Sequence, residues 1–201
     1  MLIDLNKIRY DSEIKVRLSD ECFEMFIQNV KDYFTILENE FNKSSPRISP
    51  LDALSIISML VGFKDYFDSI PAWERLSLES LKVVHKGVSR GVFDKFSLFS
   101  GMTHVAFIIH NMSFKTPSIK PFLYDVNKIL LNNLSVYLSS TSMEELMNTG
   151  TYEVITGLSG PLHYLLGFPE NDEMVEMATK IVDLFIQRSK VKIVAGHKVT
   201  G

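Results

Sequence analysis

Apolar residues recur at three- and four-residue steps through Phe23, Phe26, Ile27, Val30, Tyr33, Phe34, Leu37 and Phe41. That spacing gathers side chains on one face of a helix and scatters them on a strand, so it commits the first third of the chain to helix. The helix should start near Ser19, with Asp20 and Glu21 in a first turn where negative charge suits the dipole. Ser49-Pro50-Leu51-Asp52 is a second start signal: a capping serine, a proline at the first helical position and an acid at the third. The helix it opens runs through Leu54, Ile57 and Leu60 toward Phe67. Ser77 is expected to cap the next one, with Leu78, Leu81, Val84 and Val88 facing inward.

The same periodicity predicts helices over 101–112, 121–138, 142–147, 158–166 and 171–188, with a capping-box pattern at Ser142-Met143-Glu144-Glu145. Only Val191 to Val194 alternates like a strand. The connections at 42–47, 69–71, 115–118 and 167–170 are too short and too ordinary in composition to be domain linkers. One all-α domain over 1–201 is the expectation, with at least six helices in antiparallel hairpins.

Composition narrows the function classes. A formal net charge of -3, with Lys and Arg scattered, leaves no basic face for nucleic acid. Cys22 is the only cysteine, so an intramolecular disulfide and a paired-cysteine metal or redox motif are both excluded within these residues, and a reducing compartment is expected. The first twenty residues interleave Asp4, Lys7, Arg9, Asp11 and Glu13 with apolar ones and lack the h-region of a signal peptide. Apolar runs such as 56–63 and 105–109 are too short for a transmembrane segment. A cytoplasmic location follows as an expectation.

A weak internal repeat sharpens the picture. Ser97-Leu98-Phe99-Ser100-Gly101 precedes one amphipathic helix, and Tyr152-Glu153-Val154-Ile155-Thr156-Gly157-Leu158-Ser159-Gly160 opens another. Residues 49–59 can be laid on the first of these, with Ala53 opposite Gly101. Units at a period of roughly 50 residues suggest stacked helical hairpins, each burying its apolar face on its neighbours. Glycine at such a junction allows a positive φ or the close approach of two backbones.

These residues carry a resemblance. Ser97 to Gly101, followed by Val105-Ala106-Phe107, resembles the "SLFxGlaGiaf" element of lanthionine synthetase C-type cyclases. Tyr152 to Gly160, followed by Tyr164-Leu165-Leu166, resembles that family's "YDVisGlsGigrYLL" element, and Gly196 to Gly201 is similar to its "GykvpGWh" segment. The resemblance covers the chain from about Pro46 onward. It implies helical hairpins forming about half of an α/α toroid, and a single truncated domain corresponding to the family's N-terminal half. The reaction it implies is zinc-assisted addition of cysteine thiols to dehydroalanine or dehydrobutyrine in a precursor peptide. Zinc there lowers the thiol's pKa, and an acid protonates the enolate that results. The family's zinc ligands, two cysteines and a histidine, belong to its C-terminal half. The resemblance therefore implies no zinc in this chain and no activity for it alone. The partners it implies are a precursor peptide, a dehydratase and a separately encoded C-terminal half, with the complex held at the membrane periphery. The alternative is a peptide- or partner-binding helical module of a peptide-modification complex.

Glu153 is the candidate catalytic residue, standing where the family carries an aspartate. One extra methylene moves the carboxylate by more than an ångström, a displacement able to cost about a hundredfold in rate. Its functional reading is a cavity carboxylate for acid–base work, and its plainer reading is a helix-terminal acid serving as a cap. His104 stands where the family has glycine, and Pro161 where it has another apolar residue. His104, His110, His163 and His197 are read as satisfied or surface histidines, because zinc needs three or four ligands at close spacing. Cys22, beside Phe23 on the apolar face, is read as a buried, inert thiol. Met102, Met112, Met143, Met147, Met174 and Met177 are read as core filler.

Overall fold

The computed structural model describes residues 20–43, 47–67, 72–146, 149–189, 191–194 and 197–200. Its elements are α1 (Asp20–Phe41), α2 (Pro50–Phe67), α3 (Ala72–Ser89), α4 (Met102–Lys115), a 3-10 turn (Pro117–Ile119), α5 (Lys120–Ser140), α6 (Met143–Leu146), a second 3-10 turn (Thr149–Tyr152), α7 (Ser159–Leu165) and α8 (Asp172–Ser189). A two-stranded hairpin follows, β1 (Val191–Val194) and β2 (His197–Thr200). The class is all-α and built of helical hairpins. The strand expected at Val191 to Val194 is present, and its antiparallel partner from His197 to Thr200 carried no alternation strong enough to announce it. Among the described residues no helix is long and apolar enough to cross a membrane.

The chain packs as two compact units, Met1–Lys86 and Gly87–Gly201. In the first, Val30, Phe34 and Leu37 of α1 bury against Ile56 and Leu60 of α2 and Leu76 of α3. Arg75 donates to Glu38 at 2.8 Å and to Asn42 at 2.7 Å, tying α3 to the C-terminal end of α1. The Ser49 capping box closes as expected: its hydroxyl accepts from the Asp52 amide at 3.1 Å, and Asp52 accepts from the Ser49 amide at 3.3 Å. Three expectations fail here. Ser77 does not cap α3, which already begins at Ala72; its hydroxyl is buried without a hydrogen-bond partner, as is that of Ser80 one turn on. Leu78 is 52% exposed while Leu76 is fully buried; the inward face of α3 runs through Leu76, Ser80 and Val84, so that of the four expected positions only Val84 is fully buried. Cys22 is exposed, on the arc of α1 that also holds the exposed Met25, Tyr33 and Ile36. The apolar arc of α1 is wider than its buried face.

The second unit is where the repeats lie. Helix α3 ends at a left-handed Gly91 (φ 69°), with Gly91 N–H donating to Val88 and Val92 N–H to Gly87. These are the two bonds of a glycine-terminated helix, and the positive φ is what requires glycine there. Helix α5 buries Leu123, Val126, Leu130 and Leu134 at three- and four-residue steps and packs on α4 and α8. Helices α7 and α8 form a second hairpin, and α7 also touches α4. Met102, Met112, Met174 and Met177 are buried in this unit as expected; Met143 is exposed, and Met147 lies outside the described residues. Ser142 and Glu145 form the second capping box.

Candidate functional site

The structure brings the two glycine-bearing repeats together at the N-terminal ends of α4 and α7. Residues 95–101 fold back on the start of α4, with Met102 N–H donating to the Lys95 carbonyl at 2.6 Å and Gly101 N–H to that of Ser97 at 3.2 Å. The turn is so tight that a Cβ on Gly101 would lie 2.3 Å from the Lys95 oxygen and 2.5 Å from the Ser97 nitrogen. Residues 153–158 fold the same way before α7. Gly157 N–H donates to the Glu153 carbonyl at 2.8 Å and Leu158 N–H to that of Thr151 at 2.6 Å. A Cβ on Gly157 would lie 2.5 Å from the Glu153 oxygen and 2.6 Å from the Gly150 oxygen. Of the two reasons for glycine read from the sequence, close approach is the one that applies at Gly101 and Gly157; neither has a positive φ.

The loops are joined to one another. The Ile155 carbonyl accepts the Ser97 hydroxyl at 2.7 Å and the Leu98 amide at 3.1 Å. Gly160 lets them meet, since its Cβ would lie 2.8 Å from the Leu98 Cβ and 2.5 Å from the Val154 oxygen. Pro161 is the third residue of α7, where a missing N–H costs no helical bond. A groove of about 620 Å³ opens beside the joined loops. Ser97, Ser100 and Thr156 line one side, Asn133, Val136 and Tyr137 of α5 the other, and Asp94 and Lys95 supply the charge. Asn133 donates to the Asp94 carbonyl at 3.2 Å, and the Phe96 and Tyr137 rings pack in a tilted arrangement with centroids 4.7 Å apart.

Glu153 is exposed at the edge of this arrangement, and its carboxylate is engaged. It accepts from Ile155 N–H at 2.9 Å, Thr156 N–H at 2.6 Å and the Thr156 hydroxyl at 2.9 Å. The Ile155 and Thr156 amides hold its carboxyl below the usual carboxylate range. The donors belong to its own loop and not to the first turn of α7, so the loop, rather than the helix dipole, is what stabilises this charge.

The histidines divide. His104 and His110, both on α4, are half-buried, each with a buried Nδ1 that has no hydrogen-bond partner. The expectation of satisfied or surface histidines therefore fails for this atom of each ring, which is enclosed with no donor or acceptor within reach among the described residues. Phe114 and Phe168 meet the His110 ring edge-on at 4.7 and 4.6 Å. Burial lowers the pKa of both histidines, and at His104 a bond to the Phe99 backbone works in the opposite direction. A histidine whose folded pKa is depressed stabilises the fold above its unfolded pKa of about 6.5, and that contribution is lost as pH falls through the folded value. The thermal midpoint of the second unit should accordingly drop between pH 7 and pH 5, and His110→Gln should flatten the drop. A variant with the same slope as the parent would contradict this assignment. His163 is exposed on α7, and the side chain of His197 lies outside those described.

Tyr164, from the second repeat, is buried and donates to the Asn127 carboxamide at 2.7 Å, locking α7 to α5. Burial pushes its phenol pKa well up. Nothing in the sequence distinguished Ser97 or Asn133 from their neighbours; membership of a repeat was the only available signal for Ser97.

These features define a helical-hairpin protein in which two glycine-opened loops are tied together at one end of a bundle. The chain matches the family model described as "Lanthionine synthetase C-like protein" over residues 53–199, and it belongs to that family. The match runs across both compact units. No curated protein matches it. The zinc that the family implies finds no ligand set among the described residues. Among the described residues no three His, Cys, Asp or Glu side chains are placed to hold a metal ion, and the 201 residues contain one cysteine where the family's ligand set uses two.

Proposed function

We propose that this lanthionine cyclase-type domain holds a precursor peptide in the groove beside the joined loops, as one domain running through both units. The observation that carries this reading is that both family repeats contribute to the groove's lining, Ser97 and Ser100 from the first and Thr156 from the second, together with Asn133 and Tyr137 of α5. A groove offering hydroxyls, a carboxamide and an aromatic wall suits an extended peptide backbone with small side chains. Glu153 serves this site through the loop it organises. A carboxylate already accepting three hydrogen bonds, with a lowered pKa, is a poor proton donor at neutral pH. Activation of the thiol belongs to a partner that supplies a metal-binding half, with a dehydratase providing the dehydrated peptide, all in the cytoplasm and peripheral to the membrane.

The test is a fluorescein-labelled synthetic peptide carrying one cysteine and one dehydroalanine, followed by polarisation and by alkylation of free thiols. Saturable binding is expected, weakened about tenfold by Tyr137→Ala, the equivalent of roughly 1.4 kcal/mol. Thiol loss no faster than in buffer is also expected. Absence of binding up to about 1 mM, where the affinity is below roughly 4 kcal/mol, would sink the groove assignment. Thiol loss accelerated by the chain would show that ring closure needs no partner.

A further inference from the structure

Ser97 is only 3% exposed, yet all of its hydrogen-bonding capacity is in use. A hydroxyl has one proton and two lone pairs. The proton goes to the Ile155 carbonyl, 58 residues further along the chain, and the lone pairs take the Phe99 and Ser100 amides at 3.2 and 3.4 Å. One oxygen therefore shapes its own loop and grips the other. The segment it grips is held from both sides: Glu153 takes the amides of Ile155 and Thr156, while Ser97 and Leu98 take the Ile155 carbonyl. Thr156, next in the chain, is the residue this second loop contributes to the groove.

We propose that Ser97 is a positioning residue, which couples the two glycine-opened loops and sets Thr156 at the groove wall through Ile155. This deepens the peptide-binding reading and rests on it. Removing the hydroxyl leaves the Ile155 carbonyl with the Leu98 amide alone and takes from the Phe99 and Ser100 amides the acceptor that shapes their loop. The loop can then swing about the Glu153 end, carrying Thr156 with it. The effect on a bound peptide should pass through Thr156, and because the Thr156 hydroxyl also donates to Glu153, the order of the loop itself is read separately, by exchange.

A double-mutant cycle and hydrogen exchange on the full chain test this separately. Ser97→Ala should weaken the labelled dehydroalanine peptide about tenfold. In a Thr156→Val background, which keeps the shape and removes the hydroxyl, the same change should weaken it less than twofold. Independently of any peptide, Ser97→Ala should speed amide exchange at 153–158 as well as at 97–101, by tenfold or more, with exchange in α5 unchanged. Losses that multiply in the double variant, or faster exchange confined to 97–101, would overturn the coupling. If Ser97→Ala does not fold, Ser97→Cys keeps the volume with a weaker donor and is read in the same way. A parent chain that binds no peptide removes the groove reading, and the exchange measurement then decides the coupling alone.

Discussion

Gly101→Ala is expected to destabilise the second unit by about 3 kcal/mol or more, enough to lower a thermal midpoint by well over 10 °C. The Ala methyl would be placed 2.3, 2.5 and 2.8 Å from backbone atoms of Lys95 and Ser97. Backbone cannot swing aside as a side-chain tip can, so the 95–101 turn must open. Opening it breaks the Met102–Lys95 bond and shifts Ser97 away from Ile155. The φ of Gly101 is -114°, ordinary for any residue, so the whole cost is steric. Gly62→Ala is the contrast. Gly62 lies inside α2 with nothing within 4 Å of an added Cβ, and helix propensity alone should make that change stabilising by about 0.5–1 kcal/mol. Chemical denaturation of the two variants beside the parent decides the matter. Equal effects of the same sign would mean that the close approach at Gly101 is not what selects glycine.

Leu134→Ala should cost about 2–5 kcal/mol. Leu134 is fully buried at the end of the α5 stripe that packs on α4 and α8, so truncation loses both the transfer free energy of the side chain and the contacts around the cavity left behind. The denaturation midpoint should fall with its slope unchanged. Val136, two positions on and 55% exposed at the groove, should tolerate alanine within about 0.5 kcal/mol. A small loss at Leu134 would show that α5 is not the load-carrying wall of the second unit. The pairing separates what α5 contributes to stability from what it contributes to the groove, since the two residues lie on different faces of one helix.

Part of the candidate site could be read from residue order alone. Ser97–Gly101 and Tyr152–Gly160 stand out because glycines recur ahead of apolar helices, and the structure places the two segments in hydrogen-bond contact. The way Glu153 is used could not be read. Its three donors come from Ile155 and Thr156, and a carboxylate followed closely by amides has the same sequence whether it faces a cavity, caps a helix or closes its own loop. The role of Ser97 was equally hidden, because it depends on a carbonyl contributed from far along the chain.

Local physics settles quickly what kind of element each segment forms. The three-four apolar spacing in α1 and α5, the Ser49 and Ser142 boxes and the alternation at Val191 to Val194 act over one or two turns, and all of them were legible in the residues themselves. What the sequence left open is which part of an apolar arc meets a partner. The exposure of Leu78 and Cys22, the burial of Leu76 and the unpartnered imidazole nitrogens of α4 all depend on where a neighbouring helix lies. Side chains one turn apart are alike in pattern and differ only in what the rest of the chain sets against them. Family membership follows from the ordered motifs, whereas the joining of the two loops through Ser97 and Ile155 was decided by tertiary packing, which brought a hydroxyl and a distant carbonyl to 2.7 Å.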